Sequence, residues 1–161
     1  MNLDSSVSIA HGLFLLGAIL VTGVNAGVFV AVSIAQVRVQ RTLAARDFVL
    51  VKRSFELQYG PKMRVLVVIS LLAPVPVYLT ASAGSDTSLA LVAIGHAAAV
   101  AVLVVTAVFN LPVNREAVKW NPEAPPADWE AKRDRWHRGQ AIRLPISLVA
   151  FACLAAAAVL E

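Results

Sequence analysis

Between residues 110 and 147 the chain reads NLPVNREAVKWNPEAPPADWEAKRDRWHRGQAIRLPIS, and most side chains capable of chemistry are gathered there. All three tryptophans (Trp120, Trp129, Trp136), His137 and half of the fourteen Lys and Arg residues fall in this stretch. Trp129, Arg133, Trp136, Gln140, Arg143 and Ser147 recur at steps of three and four, so they share one helix face. An interfacial helix with an aromatic belt and snorkelling arginines accounts for the two tryptophans. It accounts less well for Arg143, which begins an apolar run and shares its face with Gln140. Asn110 and Asn114 open the same stretch; elsewhere the polar candidates are few, His11 and Asn25 early in the chain, then His96 and Thr106. No Ser/His/Asp spacing suits a nucleophilic triad, no G-x-x-x-x-G-K cradles a phosphate, and a lone Cys153 excludes an internal disulfide and a cysteine-based zinc cluster.

These residues must be held by apolar elements. Of 161 residues, 58% are hydrophobic and mean hydropathy is +0.72, in four continuous blocks near 9–36, 63–82, 87–109 and 142–160. Each approaches the ~20 residues that cross the hydrocarbon of a bilayer as a helix. Continuous rather than alternating runs exclude a barrel. The expected architecture is an all-α polytopic membrane four-helix bundle, a single domain over 1–161, with cytoplasmic interfacial helices in the segments 37–62 and 110–141. The first block lacks a basic leader and is too long for a signal peptide's apolar region, so it reads as a span.

Charge sets the expected orientation. Arg38, Arg41, Arg46, Lys52, Arg53, Lys62 and Arg64 follow the first span; Arg115, Lys119, Lys132, Arg133, Arg135, Arg138 and Arg143 lie between the third and fourth. That is every basic residue, so both long segments are expected in the cytoplasm and both termini outside. The net charge of +4 is thereby explained without nucleic acid. A bacterial inner membrane is the expected location.

Along the first span, His11, Leu15, Ala18, Thr22, Asn25, Phe29, Ser33 and Gln36 form a stripe expected to face the interior, because a buried carboxamide needs a partner. Gly23 and Gly27 form a GxxxG-type contact that serves within one chain or between copies, leaving a homo-oligomer open. The basic residues of 37–62 are expected on lipid headgroups, with Gly60-Pro61 ending that amphipathic segment. Pro74 and Pro76 should kink the second span. The short loop around Gly84, Ser85 and Asp86 makes the second and third spans antiparallel neighbours. At 100° per residue, His96, Asn110 and Asn114 fall within ~40° of one another. A proline-rich turn follows, Asp128 is expected at the next helix's N-terminus, and Pro145 is expected to kink that helix at the membrane surface.

The glycine-rich GVNAGVFVAVSIAQV, the NLPVN that ends the third span and the RWHRGQAIR that leads into the fourth resemble a known family. It is the anthrone oxygenase-like group of small four-span membrane proteins, which includes fungal anthrone and noranthrone monooxygenases and bacterial relatives. The likeness runs over nearly the whole chain; the Trp136-His137 pair departs from the family's pattern of Trp followed by other residues. It implies oxidation of an anthrone to its quinone by O₂ with neither metal nor flavin. Such a ketone is acidic at a doubly benzylic carbon, and its anion can reduce O₂ unaided. The protein then supplies an apolar slot for a small aromatic substrate, a base, and donors for the enolate oxygen. On this resemblance Asn25, Asn110 and Asn114 are expected as oxyanion donors, Arg143 as the anion's counter-charge and His137 or His96 as base. Trp136 is expected to stack on the rings, with Phe29, Gln140 and Thr106 completing the substrate wall. Two other readings stay open: a redox subunit in which His11 and His96 ligate haem or copper, and a non-enzymatic scaffold or transport accessory.

Overall fold

Each apolar run is a helix in a computed structural model that describes residues 3–81 and 86–160. Helix α1 (Leu3–Ala31) passes through a π-helical turn (Val32–Gln36) into α2 (Val37–Thr42); α3 (Ala45–Gln58) follows, then α4 (Gly60–Leu72) and α5 (Val75–Thr80). Helix α6 (Asp86–Val105) passes through a second π-helical turn (Thr106–Asn110) into α7 (Leu111–Ala117), and α8 (Trp129–Val159) ends the order. Four segments, Ser5–Thr42, Gly60–Thr80, Asp86–Ala117 and Trp129–Val159, are long and apolar enough to cross a membrane, with hydropathy between 1.9 and 2.4. Their outward surface carries Ile9, Leu13, Leu20, Leu79 and Val104, all more than half exposed. Such a surface suits acyl chains rather than water. The chain is an all-α, multispan membrane protein.

The ends of these segments follow from local chemistry. The spans extend past the apolar runs because the first and third continue helically through their π-turns. Pro74 removes a backbone donor, and the second span stops at Leu72 and restarts at Val75. Tyr59 separates α3 from α4, with Pro61 tolerated in the first turn of α4. The expected end of the second span at Ser82 and the loop residues Gly84 and Ser85 lie outside the described residues. Asp128 stands at the N-cap of α8, but its carboxylate does not cap the helix: Oδ1 lies 3.1 Å from Lys132 Nζ instead.

Helix α8 is the element against which α6 and α1 both pack most extensively. Close approach depends on glycine at two places: a Cβ on Gly95 would sit 3.0 Å from Ala150 O, and one on Gly139 would sit 2.6 Å from Phe109 Cβ. The GxxxG pair divides. Gly23 faces the Phe151 ring, whereas a Cβ on Gly27 would meet nothing within 4 Å. Two apolar clusters result. Leu15, Ala18, Val77, Val92, Leu154 and Ala157 form one; Phe48, Val49, Val113, Ala117, Trp120 and Trp136 form the other, with α3 packed against α7 and α8.

Candidate functional site

Trp136 belongs to the second cluster and is 5% exposed, yet polar groups surround it. Its indole Nε1 donates to Asn114 Oδ1 at 2.8 Å, and its backbone oxygen accepts from Asn110 Nδ2 at 2.9 Å. Lys52 Nζ lies 4.1 Å from its ring centroid and Arg143 Cζ 5.6 Å, which are cation–π distances. The expected face of α8 therefore exists in its buried half, Trp136, Gln140, Arg143 and Ser147, while Trp129 and Arg133 are half-buried nearer the helix start.

Arg143 is buried, 8% exposed. Its Nε donates to Gln140 Oε1 at 2.8 Å and one terminal nitrogen to Thr106 Oγ1 at 3.3 Å. Thr106 spends its own proton on Val102 O at 2.8 Å, so its oxygen is free to accept. Cζ also lies 4.7 Å from the Phe29 ring. Gln140 is held in turn, its Nε2 donating to Phe29 O and Ser33 Oγ, both at 2.9 Å. Phe29, Thr106, Gln140, Arg143, Trp136, Asn110 and Asn114 are thus brought together.

Both π-helical turns face α8 here. The second supplies Thr106 and Asn110, and its Val108 carbonyl accepts from Arg135 at 2.7 Å; the first supplies Ser33. A π-turn inserts an extra residue into the helical repeat and occurs often at functional sites. The same insertion separates His96 from Asn110 and Asn114, since a constant 100° step does not hold across it. His96 Nδ1 instead lies 3.3 Å from Tyr78 OH, with the rings stacked at 5.8 Å.

Three other expected residues stand apart. Asn25 is buried one turn before Phe29 and makes no side-chain hydrogen bond among the described residues. His11 Nδ1 lies 3.1 Å from Thr80 Oγ1. His11 and His96 thus engage different hydroxyls of α5, and no group of three His, Cys, Asp or Glu able to hold a metal occurs among the described residues. His137 is buried: it is 4% exposed, Nε2 lies 3.0 Å from Gln40 Oε1, and Nδ1 has no partner among the described residues. It borders a cleft of about 540 Å³ that Arg41, Arg133 and Arg138 also line.

Sequence reasoning placed Lys52 among lipid-facing cations, and the structure corrects this. Lys52 is 1% exposed, with Nζ 2.7 Å from Glu56 Oε1 and 2.9 Å from Asn114 Oδ1. Burial lowers its pKa to about 8; Glu56 opposes that shift and Arg143 adds to it. A signal existed: Phe48, Lys52 and Glu56 are four apart, which puts an ion pair on the buried face of α3.

A sequence model of the anthrone oxygenase family matches residues 52–153. The matched region opens at Lys52 and includes Asn110, Asn114, Trp136, Gln140 and Arg143; Phe29 and Gln40 precede it. No curated protein matches the chain, and no solved structure does.

Proposed function

We propose, from the premise that this chain belongs to the anthrone oxygenase family, that it oxidises a polycyclic phenolic ketone of the anthrone type with O₂ at the Trp136 cluster. One observation carries the assignment of place. Two buried cations, Lys52 and Arg143, flank Trp136, and Glu56 neutralises only one of them. Among the described residues Arg143 has no carboxylate partner; it is bonded to a neutral amide and a hydroxyl. An uncompensated buried charge costs several kcal/mol, and a bound anion would offset that cost. The anion of a carbon acid, flat and delocalised, would supply the counter-charge.

The reaction converts a ring CH₂ and O₂ into a carbonyl and water. A base removes one proton from the doubly benzylic carbon, and the electron pair spreads onto the ketone oxygen. One electron passes to O₂, and the carbon radical and superoxide combine into a C–O bond. Loss of the second C–H proton and cleavage of the O–O bond release water and leave the quinone. This chain's residues stabilise the anion: Arg143 by charge from behind the Trp136 ring, Trp136 by holding the Asn114 amide, and Asn114 as the donor nearest the substrate. Neither metal nor flavin enters this scheme. The charge distribution supports a cytoplasmic-membrane protein with both termini outside and the site near the cytoplasmic surface.

Membranes containing the protein, given several anthrones and O₂, should form quinone faster than protein-free membranes, followed by absorbance. Equal rates across the panel would refute the assignment.

A further inference from the structure

Lys52 joins two residues that share a cleft. Its Nζ bonds Glu56 Oε1 at 2.7 Å and Asn114 Oδ1 at 2.9 Å, and Trp136 Nε1 donates to that same Oδ1 at 2.8 Å. Two donors on one oxygen fix the Asn114 amide, so its oxygen points inward and its N–H₂ is left over. Glu56 and Asn114 both line a cleft of about 430 Å³ between α3, α4 and α7, whereas Lys52 lies behind them. Glu56 is the one acid in that lining, and Oε2 carries no hydrogen bond among the described residues. Leu57, Leu111 and Val118 give the cleft apolar surface; Arg64, Arg115 and Lys119 give it positive charge.

A carboxylate beside a free amide donor, in a cleft both apolar and cationic, meets the needs of carbon-acid ionisation. We propose that this cleft is the proton-abstraction site, with Glu56 as proton acceptor, Asn114 Nδ2–H as donor to the enolate oxygen and Lys52 as their positioning residue. The ligand class is a flat ketone with an acidic benzylic C–H, and the assignment rests on the oxidation proposed above. In the step, the C–H bond breaks and the proton passes to Glu56 Oε2. The electron pair stays on the substrate, delocalised onto the oxygen that Asn114 meets, and Glu56 returns its proton to solvent through the cleft. No oxidant is consumed in this step; O₂ enters only afterwards.

The test separates ionisation from oxidation. Protein in lipid nanodiscs is given an anthrone in D₂O without oxygen, and loss of the benzylic proton signal is followed by NMR; O₂ is then admitted and quinone measured. Wild type should accelerate both over empty nanodiscs. E56Q should lower both by about a hundredfold or more, as for loss of a general base; E56D should fall between. K52R should retain exchange with a displaced profile, and the exposed variant E123Q should match wild type. If E56Q does not fold, V118W tests the cleft by filling it, and exchange should be lost. Wild-type exchange in folded E56Q, or in V118W, overturns this proposal alone. A wild type that neither exchanges nor oxidises overturns the functional reading beneath it.

Discussion

Arg143 and Lys52 are two cations with different consequences. Arg143 is a fixed charge that stacks on Phe29 while donating to Gln140 and Thr106. A lysine cannot reproduce a planar fork that stacks and donates at once. Both R143A and R143K should therefore lower kcat/KM, R143A by roughly 10²–10³-fold, the range for removing a key electrostatic stabiliser; steady-state rates on one anthrone check this. Lys52 is titratable. Burial favours its neutral form, and its pKa of about 8 lies below the ordinary 10.5. Below about 8 the folded protein holds the charge on Trp136 and Asn114; above it the charge is lost. Affinity for an anionic substrate analogue should accordingly fall as pH rises through about 8, and K52R should show no break there. Stability runs the other way. The unfolded state binds more protons between about 8 and 10.5, so stability rises with pH across that window.

At the scale of elements, the α6–α8 seam holds the site together. Gly139 lies where a Cβ would strike Asn110 Oδ1 and Phe109 Cβ, so G139A should push the second π-turn away from α8. Overpacking of this kind costs about 1–3 kcal/mol. Thermal unfolding in detergent should show G139A destabilised and less active, with G12A, G17A and G27A close to wild type because nothing lies within 4 Å of their added Cβ. The spans were legible because long apolar runs admit one structure in lipid. The break at Pro74 and the buried face of α8 from Trp136 to Ser147 were legible too, each from a fixed covalent or helical rule. The π-turns were not, since Val32–Gln36 and Thr106–Asn110 carry no residue pattern unlike ordinary helix. Hence His96 was grouped with Asn110, and Lys52, whose burial depends on α3 docking against α7 and α8, was read as lipid-facing.

For the whole molecule, the polar cluster adjoins one apolar core, while the other lies apart on α1, α5, α6 and the far end of α8. Every lysine and arginine belongs to this cluster or to the two segments that flank it. If those segments face the cytoplasm, alkaline phosphatase fused after residue 161 should be active, and fusions after Arg46 or Lys119 inactive. The reverse pattern would invert the proposed topology. The most direct measurement for the account as a whole is quinone formation by purified protein in lipid nanodiscs, with wild type and R143A compared at equal folded amounts. The account predicts acceleration by wild type over empty nanodiscs and its near loss in R143A. No acceleration by wild type, or an equal rate in R143A, would contradict it.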